Sequence, residues 1–133
     1  MEKLEDRICL DTDFLVNLLR NRKEEVDFIN KIENFSSLAT TSINLFELYY
    51  GAFKLGKIKD ILAIEFLKQK VEILLPDDEV AIKAGEMAAK LEKNGKMMEL
   101  KDLLIGVTAL KNNFSVKTYN IKDFSRITGL SLV

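Results

Sequence analysis

The chain contains no histidine among its 133 residues, and this absence excludes several classes of enzyme chemistry. Without histidine there is no Ser-His-Asp triad, no Cys-His dyad and no histidine-ligated zinc. Only one cysteine is present, so an intramolecular disulfide and a structural zinc site are excluded as well. Because Cys9 lies in an apolar run, we expect an inert core thiol in a reducing, cytoplasmic compartment.

Proline, glycine and long apolar runs are also scarce. One proline and six glycines leave no segment with the composition of a linker, so we expect a single domain over residues 1–133. No stretch is apolar for long enough to span a membrane, and the charged residues 1–7 do not resemble a signal peptide. The net charge of −1 argues against a strongly basic nucleic-acid-binding surface but is compatible with a nuclease.

Short apolar runs alternate with amphipathic patterns along the chain. The runs predict strands over residues 8–11, 37–40, 71–75, 115–118 and 130–133. The amphipathic patterns predict helices over 12–21, 24–35, 42–55, 58–69, 78–93 and 101–112, and a short helical turn over 123–127. This alternation predicts an α/β fold with a short, mostly parallel sheet of four to five strands flanked by helices.

Four acidic residues lie where packing does not explain them, namely Asp11, Glu47, Asp102 and Asp123. Asp11 ends an apolar run, and Glu47 and Asp102 lie beside long uncharged segments. Burying a carboxylate is costly unless it is paired or bound to a cation. Because ligands bind beyond the carboxyl ends of parallel strands, the acids are expected to meet around a hard divalent cation, as in a phosphoryl-transfer site.

Each acid also has an ordinary structural explanation. Asp11 and Asp102 are both at positions where an acid can cap a helix. Glu47 fits an exposed helix face, and Asp123 is explained most simply as a surface acid. The four together, at matching places in an α/β pattern, favour a common site over four separate coincidences.

Four segments carry a resemblance to a known family: residues 10–15 (LDTDFL), 41–51 (TSINLFELYYG), 101–106 (KDLLIG) and 118–124 (TYNIKDF). In order and spacing they resemble the signature blocks of PIN domains, and most closely those of VapC-type toxins. The resemblance implies a Mg²⁺- or Mn²⁺-dependent endoribonuclease with a PIN-like fold. It also implies a homodimer, which is frequent in the family, and neutralisation by a small VapB-type antitoxin.

The resemblance also implies roles for individual residues. Asp11 and Asp102 match the main metal-binding aspartates of the family, and Glu47 matches its glutamate. Either Asn120 or Asp123 matches the fourth position of the site. The expected supporting residues are Thr12, Thr118 and Asn120. Asp13 departs from the family, which usually has Asn, Ser or Thr there, so it either caps the helix or adds charge to the site.

The expected reaction is metal-assisted hydrolysis of an RNA phosphodiester, with Asp11, Glu47, Asp102 and Asp123 as the catalytic set. Basic residues expected to contact the RNA backbone are Arg20, Arg22, Lys54, Lys57, Lys96, Lys101, Lys117, Lys122 and Arg126. Apolar residues expected to form an antitoxin groove or dimer face are Phe28, Phe46, Tyr49, Tyr50, Phe53 and Phe66.

Three alternatives stay open at this point. The segment 10–13 resembles the Asp-x-Asp start of haloacid-dehalogenase-type phosphatases, although the chain is short for that fold. A catalytically silent PIN-like module that only binds protein or RNA is the second alternative. A PIN nuclease that processes ribosomal RNA is the third.

Overall fold

The computed structural model describes residues 6–34 and 36–133, and its centre is a parallel sheet. The four strands of this described part are β1 (Arg7–Leu10), β2 (Ser37–Thr41), β3 (Glu72–Leu74) and β4 (Ser115–Lys117). They lie in the order β3-β2-β1-β4, and every neighbouring pair is parallel. The predicted α/β class with a short parallel sheet is confirmed.

Helices connect the strands and cover both faces of the sheet. Within the described ranges they are α1 (Thr12–Leu19), α2 (Lys23–Ile32), α3 (Ser42–Leu55), α4 (Ile58–Lys68), α5 (Asp78–Lys93), α6 (Leu100–Lys111) and α7 (Ile121–Phe124). None of these helices combines the length and the apolar character needed to cross a membrane.

Two predicted elements near the C-terminus differ from the structure, one in kind and one in its bounds. The strand expected over 130–133 is reduced to an isolated parallel bridge between Val116 and Leu132. This segment is held to β4 through Val116, whose N–H donates to the Ser131 carbonyl and whose carbonyl accepts from the Val133 N–H. The helical turn expected over 123–127 begins earlier, as α7, since the Phe124 N–H already donates to the Asn120 carbonyl at 3.2 Å. Residue 35, at the end of the predicted helix 24–35, lies outside the described residues.

The sheet separates two apolar cores, as the period of a strand requires. In β1, Ile8 and Leu10 pack with α1, α3 and α4, whereas Cys9 packs on the opposite face with α5 and α6. Cys9 is completely buried, and this burial raises the pKa of its thiol. The thiol is therefore a core group with no tendency to ionise at neutral pH.

The carboxyl ends of β1, β2 and β4 lie side by side at one edge of the sheet. Asp11 follows β1 directly, and its backbone N–H donates to the Lys117 carbonyl of β4 at 3.0 Å. On the other side, the Thr40 hydroxyl of β2 donates to the Leu10 carbonyl at 2.8 Å. These bonds position the chain segments that leave the three strands, where the candidate site residues lie.

Gly106 in the middle of α6 allows the C-terminal segment to lie against that helix. A Cβ atom at this position would overlap the Ile127 side chain and come within 3.3 Å of Leu130 and 3.4 Å of Phe124. Ile127 and Phe124 are both buried, so neither can move freely into solvent. The missing side chain thus brings α7 close to α6, which carries Asp102.

We expect Gly106→Ala to lower the free energy of unfolding by about 1–3 kcal/mol, because overpacking outweighs the better helix propensity of alanine. Ile127→Val removes the overlapping atom, so the double variant should recover part of this loss. Gly85→Ala is the control, since a Cβ there meets nothing within 4 Å and should stabilise α5 slightly. Urea unfolding measures all four variants, and equal stability of the two glycine variants would contradict the packing argument.

Candidate active site

Asp11 lies at the centre of the candidate site and is only 6% exposed. Its Oδ1 atom accepts hydrogen bonds from the Thr12 backbone N–H at 2.9 Å and from the Asn44 side-chain amide at 3.0 Å. Its Oδ2 atom accepts from the Thr118 hydroxyl at 2.7 Å. The carboxylate therefore joins the beginning of α1, the beginning of α3 and the end of β4.

Asn44 was missed as a site residue by the sequence analysis, although it is completely buried. Its carbonyl oxygen accepts from the Thr41 backbone N–H at 3.2 Å and from the Thr41 hydroxyl at 2.6 Å, which closes a capping box at the start of α3. Its amide donates to Asp11 and to the Thr12 hydroxyl, at 3.0 and 2.9 Å. The signal in the sequence was the spacing of Thr41 and Asn44 at a helix start, with Glu47 one turn later.

Glu47 reaches the site from the face of α3 that also carries Asn44. Its Oε1 atom accepts from the Thr12 hydroxyl at 2.7 Å, and its Oε2 atom accepts from the Lys101 ammonium at 2.8 Å. The Glu47 side chain is 23% exposed, so it lies at the mouth of the site rather than within it. Thr12 thus links Glu47 to the buried network around Asp11.

Asp102 is in the first turn of α6, makes no helix cap, and is 6% exposed. Its Oδ2 atom accepts from the Asn120 amide at 3.1 Å, and its Oδ1 atom lies 3.5 Å from the Lys101 ammonium. The same Asn120 amide donates to Asp123 at 3.1 Å. Asn120 therefore holds both acids, and the two residues that matched the fourth family position occupy adjoining places.

The contacts form one closed circuit of hydrogen bonds and ion pairs. The Asn120 backbone N–H donates to the Thr118 hydroxyl at 3.0 Å, which returns the circuit to Asp11. In order its members are Asp11, Asn44, Thr12, Glu47, Lys101, Asp102, Asn120 and Thr118. Asp123 is attached at Asn120, so every predicted site residue is part of a single network.

Asp13 lies beside Asp11, and the Thr118 hydroxyl that donates to Asp11 is also 3.4 Å from Asp13 Oδ2. The Oδ1 atom of Asp13 accepts from the Phe14 backbone N–H at 2.7 Å, and its Oδ2 atom accepts from the Tyr119 backbone N–H at 3.0 Å. The Tyr119 hydroxyl in turn donates to the buried Glu25 of α2. Asp13 therefore joins the first turn of α1 to the segment between β4 and α7.

Burial and mutual repulsion set the charge state of the acids. Burial raises the pKa of Asp11 above its ordinary value, the hydrogen bonds from Thr118 and Thr12 oppose this, and the charges of Asp13 and Asp102 add to it. Burial likewise raises the pKa of Asp102, against the opposing charge of Lys101. Both carboxylates are thus less stable in ionised form than they would be in water.

Lys101 shows the complementary effect. Burial lowers the pKa of its ammonium, but the hydrogen bond to Glu47 and the charge of Asp102 outweigh this and raise it to about 12. The sequence analysis placed Lys101 among the residues expected to contact RNA. The structure instead brings its ammonium into contact with two of the site acids.

The donor set suits a hard divalent cation, because carboxylate, hydroxyl and amide oxygens are the ligands that Mg²⁺ and Mn²⁺ prefer. Within the described residues, however, no three acidic side chains already lie close enough together to enclose an ion. The Lys101 ammonium and the Asn44 and Asn120 amides are placed between the carboxylates. The residues fit the ion by chemistry, and binding it requires them to draw together.

A family model of the PIN domain matches residues 8–130, so the chain belongs to the PIN-domain family. It is 32% identical over 123 residues to ribonuclease VapC1 of Haemophilus influenzae strain R2866, covering 91% of this chain and 92% of that protein. It is 29% identical over 127 residues to the tRNA(fMet)-specific endonuclease VapC of Salmonella typhimurium, covering 95% and 96%.

Solved structures extend the similarity to the whole described fold. VapBC2 from Rickettsia felis, bound to a promoter DNA fragment, superposes with a TM-score of 0.85 at 28% identity, covering 96% of this chain and 97% of that one. VapBC-1 from nontypeable Haemophilus influenzae superposes with a TM-score of 0.84 at 31% identity, covering 96% of each chain. The predicted PIN-like fold is therefore confirmed.

The raised pKa of Asp11 has a consequence for the stability of the metal-free protein. A group whose pKa is higher in the folded state stabilises the fold below its unfolded pKa, and this contribution is lost as pH rises through the folded value. In EDTA, the stability that Asp11 contributes should therefore be lost as pH rises above about 4, so that wild type loses stability relative to Asp11→Asn. Asp11→Asn keeps the acceptor for Thr12 and Asn44, so it should be at least as stable as wild type at pH 7.

Chemical unfolding between pH 3 and 8 tests this expectation, and the gain of Asp11→Asn should vanish at the acid end. Asp27→Asn is the matched control, because Asp27 pairs with Lys23 on the surface of α2 and its side chain is 58% exposed. A loss of several kcal/mol in Asp11→Asn at pH 7 would contradict this expectation, because asparagine caps a helix as well as aspartate and the loss would show that the ionised carboxylate itself stabilises the fold.

Proposed function

We propose that the protein is the toxin ribonuclease of a VapBC-type toxin–antitoxin pair and that it hydrolyses RNA phosphodiesters with Mg²⁺ or Mn²⁺. The observation that carries the proposal is the closed circuit that unites Asp11, Glu47, Asp102 and Asp123 at the carboxyl edge of the sheet. The similarity to VapC ribonucleases over nine-tenths of the chain supports the same activity.

The residues divide into metal ligands and supporting groups. Asp11 and Asp102 would hold the ion directly, with Glu47 at the solvent side, directly or through water. A bound Mg²⁺ lowers the pKa of a water nucleophile and stabilises the charge that develops on the phosphate. Asn120 and Asp123 would orient water near Asp102.

Polar groups around the acids preorganise the site. Thr118 and Asn44 each donate to Asp11, which fixes the carboxylate before any ligand arrives. Asn120 fixes Asp102 in the same way. Such fixed donors hold each carboxylate in one orientation, so that binding the ion has to bring the acids closer together but not to reorient them.

The alternatives are less well supported by these contacts. In a haloacid-dehalogenase-type phosphatase the second aspartate of the Asp-x-Asp start would act on the substrate. The Asp13 carboxylate instead accepts from the Phe14 and Tyr119 backbone N–H groups, which orient it toward the protein backbone. A silent binding module has no need of the intact acid set. Ribosomal-RNA processing differs from toxin activity only in the choice of RNA, so substrate profiling separates the two.

An RNA substrate and a reduced Cys9 both fit the cytoplasm, where we place the protein.

Cleavage should use water and leave 5′-phosphate and 3′-hydroxyl ends, since no histidine is present to run attack by the 2′-hydroxyl. EDTA should stop the reaction, and Mg²⁺ or Mn²⁺ should restore it. Asp11→Asn and Asp102→Asn should each lower the rate by more than about a hundredfold, because they remove direct ligands of the ion.

End-group analysis of a cleaved oligoribonucleotide measures the products, with Asp27→Asn as a charge-matched control that should retain full activity. Products ending in 2′,3′-cyclic phosphate and formed in EDTA would rule out the proposed chemistry. Hydrolysis of a small phosphate ester without RNA cleavage would favour the phosphatase instead.

The antitoxin partner is supported by an apolar surface that the fold leaves open. Phe46, Tyr50 and Phe53 of α3 are each more than half exposed, as is Phe66 of α4, whereas Phe28 and Tyr49 are partly buried. A cavity of about 170 Å³ between α1, α3 and α4 is lined in part by Glu47 but by none of these aromatic residues. We propose that a VapB-type segment lies in this cavity and brings a basic side chain toward the acids. We also propose that the toxin forms a homodimer.

Ala63 lies in α4 and lines both this cavity and a larger one of about 520 Å³ beside α2. Ala63→Trp should fill the cavity beside Glu47 and weaken binding of the cognate antitoxin at least about tenfold, while RNA cleavage by the free toxin is retained. Ala81→Trp is the control, because Ala81 is exposed on α5, across the sheet. Calorimetric titration measures the affinity and light scattering the oligomeric state. A strict monomer that no antitoxin inhibits would contradict the proposal.

A further inference from the structure

Lys101 is the one link in the circuit that carries a positive charge. Its ammonium lies 2.8 Å from Glu47 Oε2, 3.5 Å from Asp102 Oδ1 and 3.9 Å from Glu99 Oε2. The first two of these partners are the same carboxylates that would bind a metal ion. The Lys101 side chain is 46% exposed, so its ammonium can leave the site without disturbing the core.

The position of Lys101 is not explained by the stability of its own helix. It is the second residue of α6, where the helix dipole disfavours a cation. An ordinary surface lysine at this position would turn into solvent. Instead the ammonium bridges an acid of α3 and an acid of α6, two helices that the chain separates by more than forty residues.

A divalent ion and the Lys101 ammonium compete for the same oxygens. Both bind carboxylates at short range, and the repulsion between a single and a double positive charge at such a distance is strong. The ammonium lies between Glu47 and Asp102, and no three acids of the described chain enclose an ion.

We propose that Lys101 is a tethered countercation: in the metal-free protein it neutralises Glu47 and Asp102, and binding of the metal ion displaces its ammonium from both carboxylates. This inference rests on the metal-dependent function proposed above and deepens it. Two effects of opposite sign follow. Lys101 stabilises the metal-free fold, and it lowers the apparent affinity for the ion, because each binding event must first break the two ion pairs.

The test measures Mn²⁺ binding to the RNA-free protein by electron paramagnetic resonance, together with thermal melts in EDTA. Lys101→Met keeps the apolar stem and removes the charge, so it should bind Mn²⁺ about tenfold more tightly than wild type and melt at a lower temperature in EDTA. Lys101→Gln, measured beside it, should shift both quantities in the same directions. Lys101→Arg keeps the charge and should resemble wild type.

Lys122→Met is the matched control, because it removes the same charge from the neighbouring helix α7 at an exposed position. Equal Mn²⁺ affinity in the Lys101→Met and Lys122→Met variants would overturn the proposal, since a general change of net charge would then explain the result. Weaker Mn²⁺ binding in Lys101→Met would also overturn it. If neither wild type nor any variant bound Mn²⁺, the proposed metal-dependent function itself would fail, and this inference with it.

Discussion

The structure around the candidate site depends on one constraint, namely that the buried carboxylate of Asp11 must be fully hydrogen-bonded. A buried charge without partners costs more free energy than a small domain can spare. Asp11 meets this requirement with a backbone N–H from α1, an amide from α3 and a hydroxyl beyond β4. Satisfying a single side chain therefore aligns the beginnings of two helices and the end of a strand.

The site combines preorganisation with electrostatic strain. Neutral donors from Asn44, Thr118 and Asn120 hold the acids in place, yet burial still raises the pKa of Asp11 and Asp102. A fold that collects like charges in this way is stabilised by any cation that reaches them. Under the function proposed above, the same carboxylates would bind a metal ion, the chain's own lysine or a basic side chain of an antitoxin, and only the metal ion would support hydrolysis.

Much of this arrangement was predictable from local sequence. The alternation of apolar strands and amphipathic helices correctly indicated a short parallel sheet, and Asp11 follows its strand as expected. The last strand was predicted wrongly, since an apolar run has strand propensity whether or not a partner strand is available to it. The capping box of Asn44 was readable from its spacing to Thr41, but its hydrogen bonds to Asp11 and Thr12 exist only in the assembled fold, and for this reason Asn44 was overlooked as a site residue.

The sequence by itself determined the chemical inventory: no histidine, several acids at the ends of predicted elements, and an apolar pattern with the periods of an α/β protein. Those properties depend on residue type and on spacing along the chain. The tertiary structure alone decided which groups touch, because Lys101 and Glu47 are far apart in sequence and meet only through the packing of α3 and α6. The tertiary structure likewise brings the Tyr119 backbone N–H to Asp13, and it lets the Asn120 amide donate to both Asp102 and Asp123. These contacts depend on which residues are close in space, which the local sequence pattern does not specify.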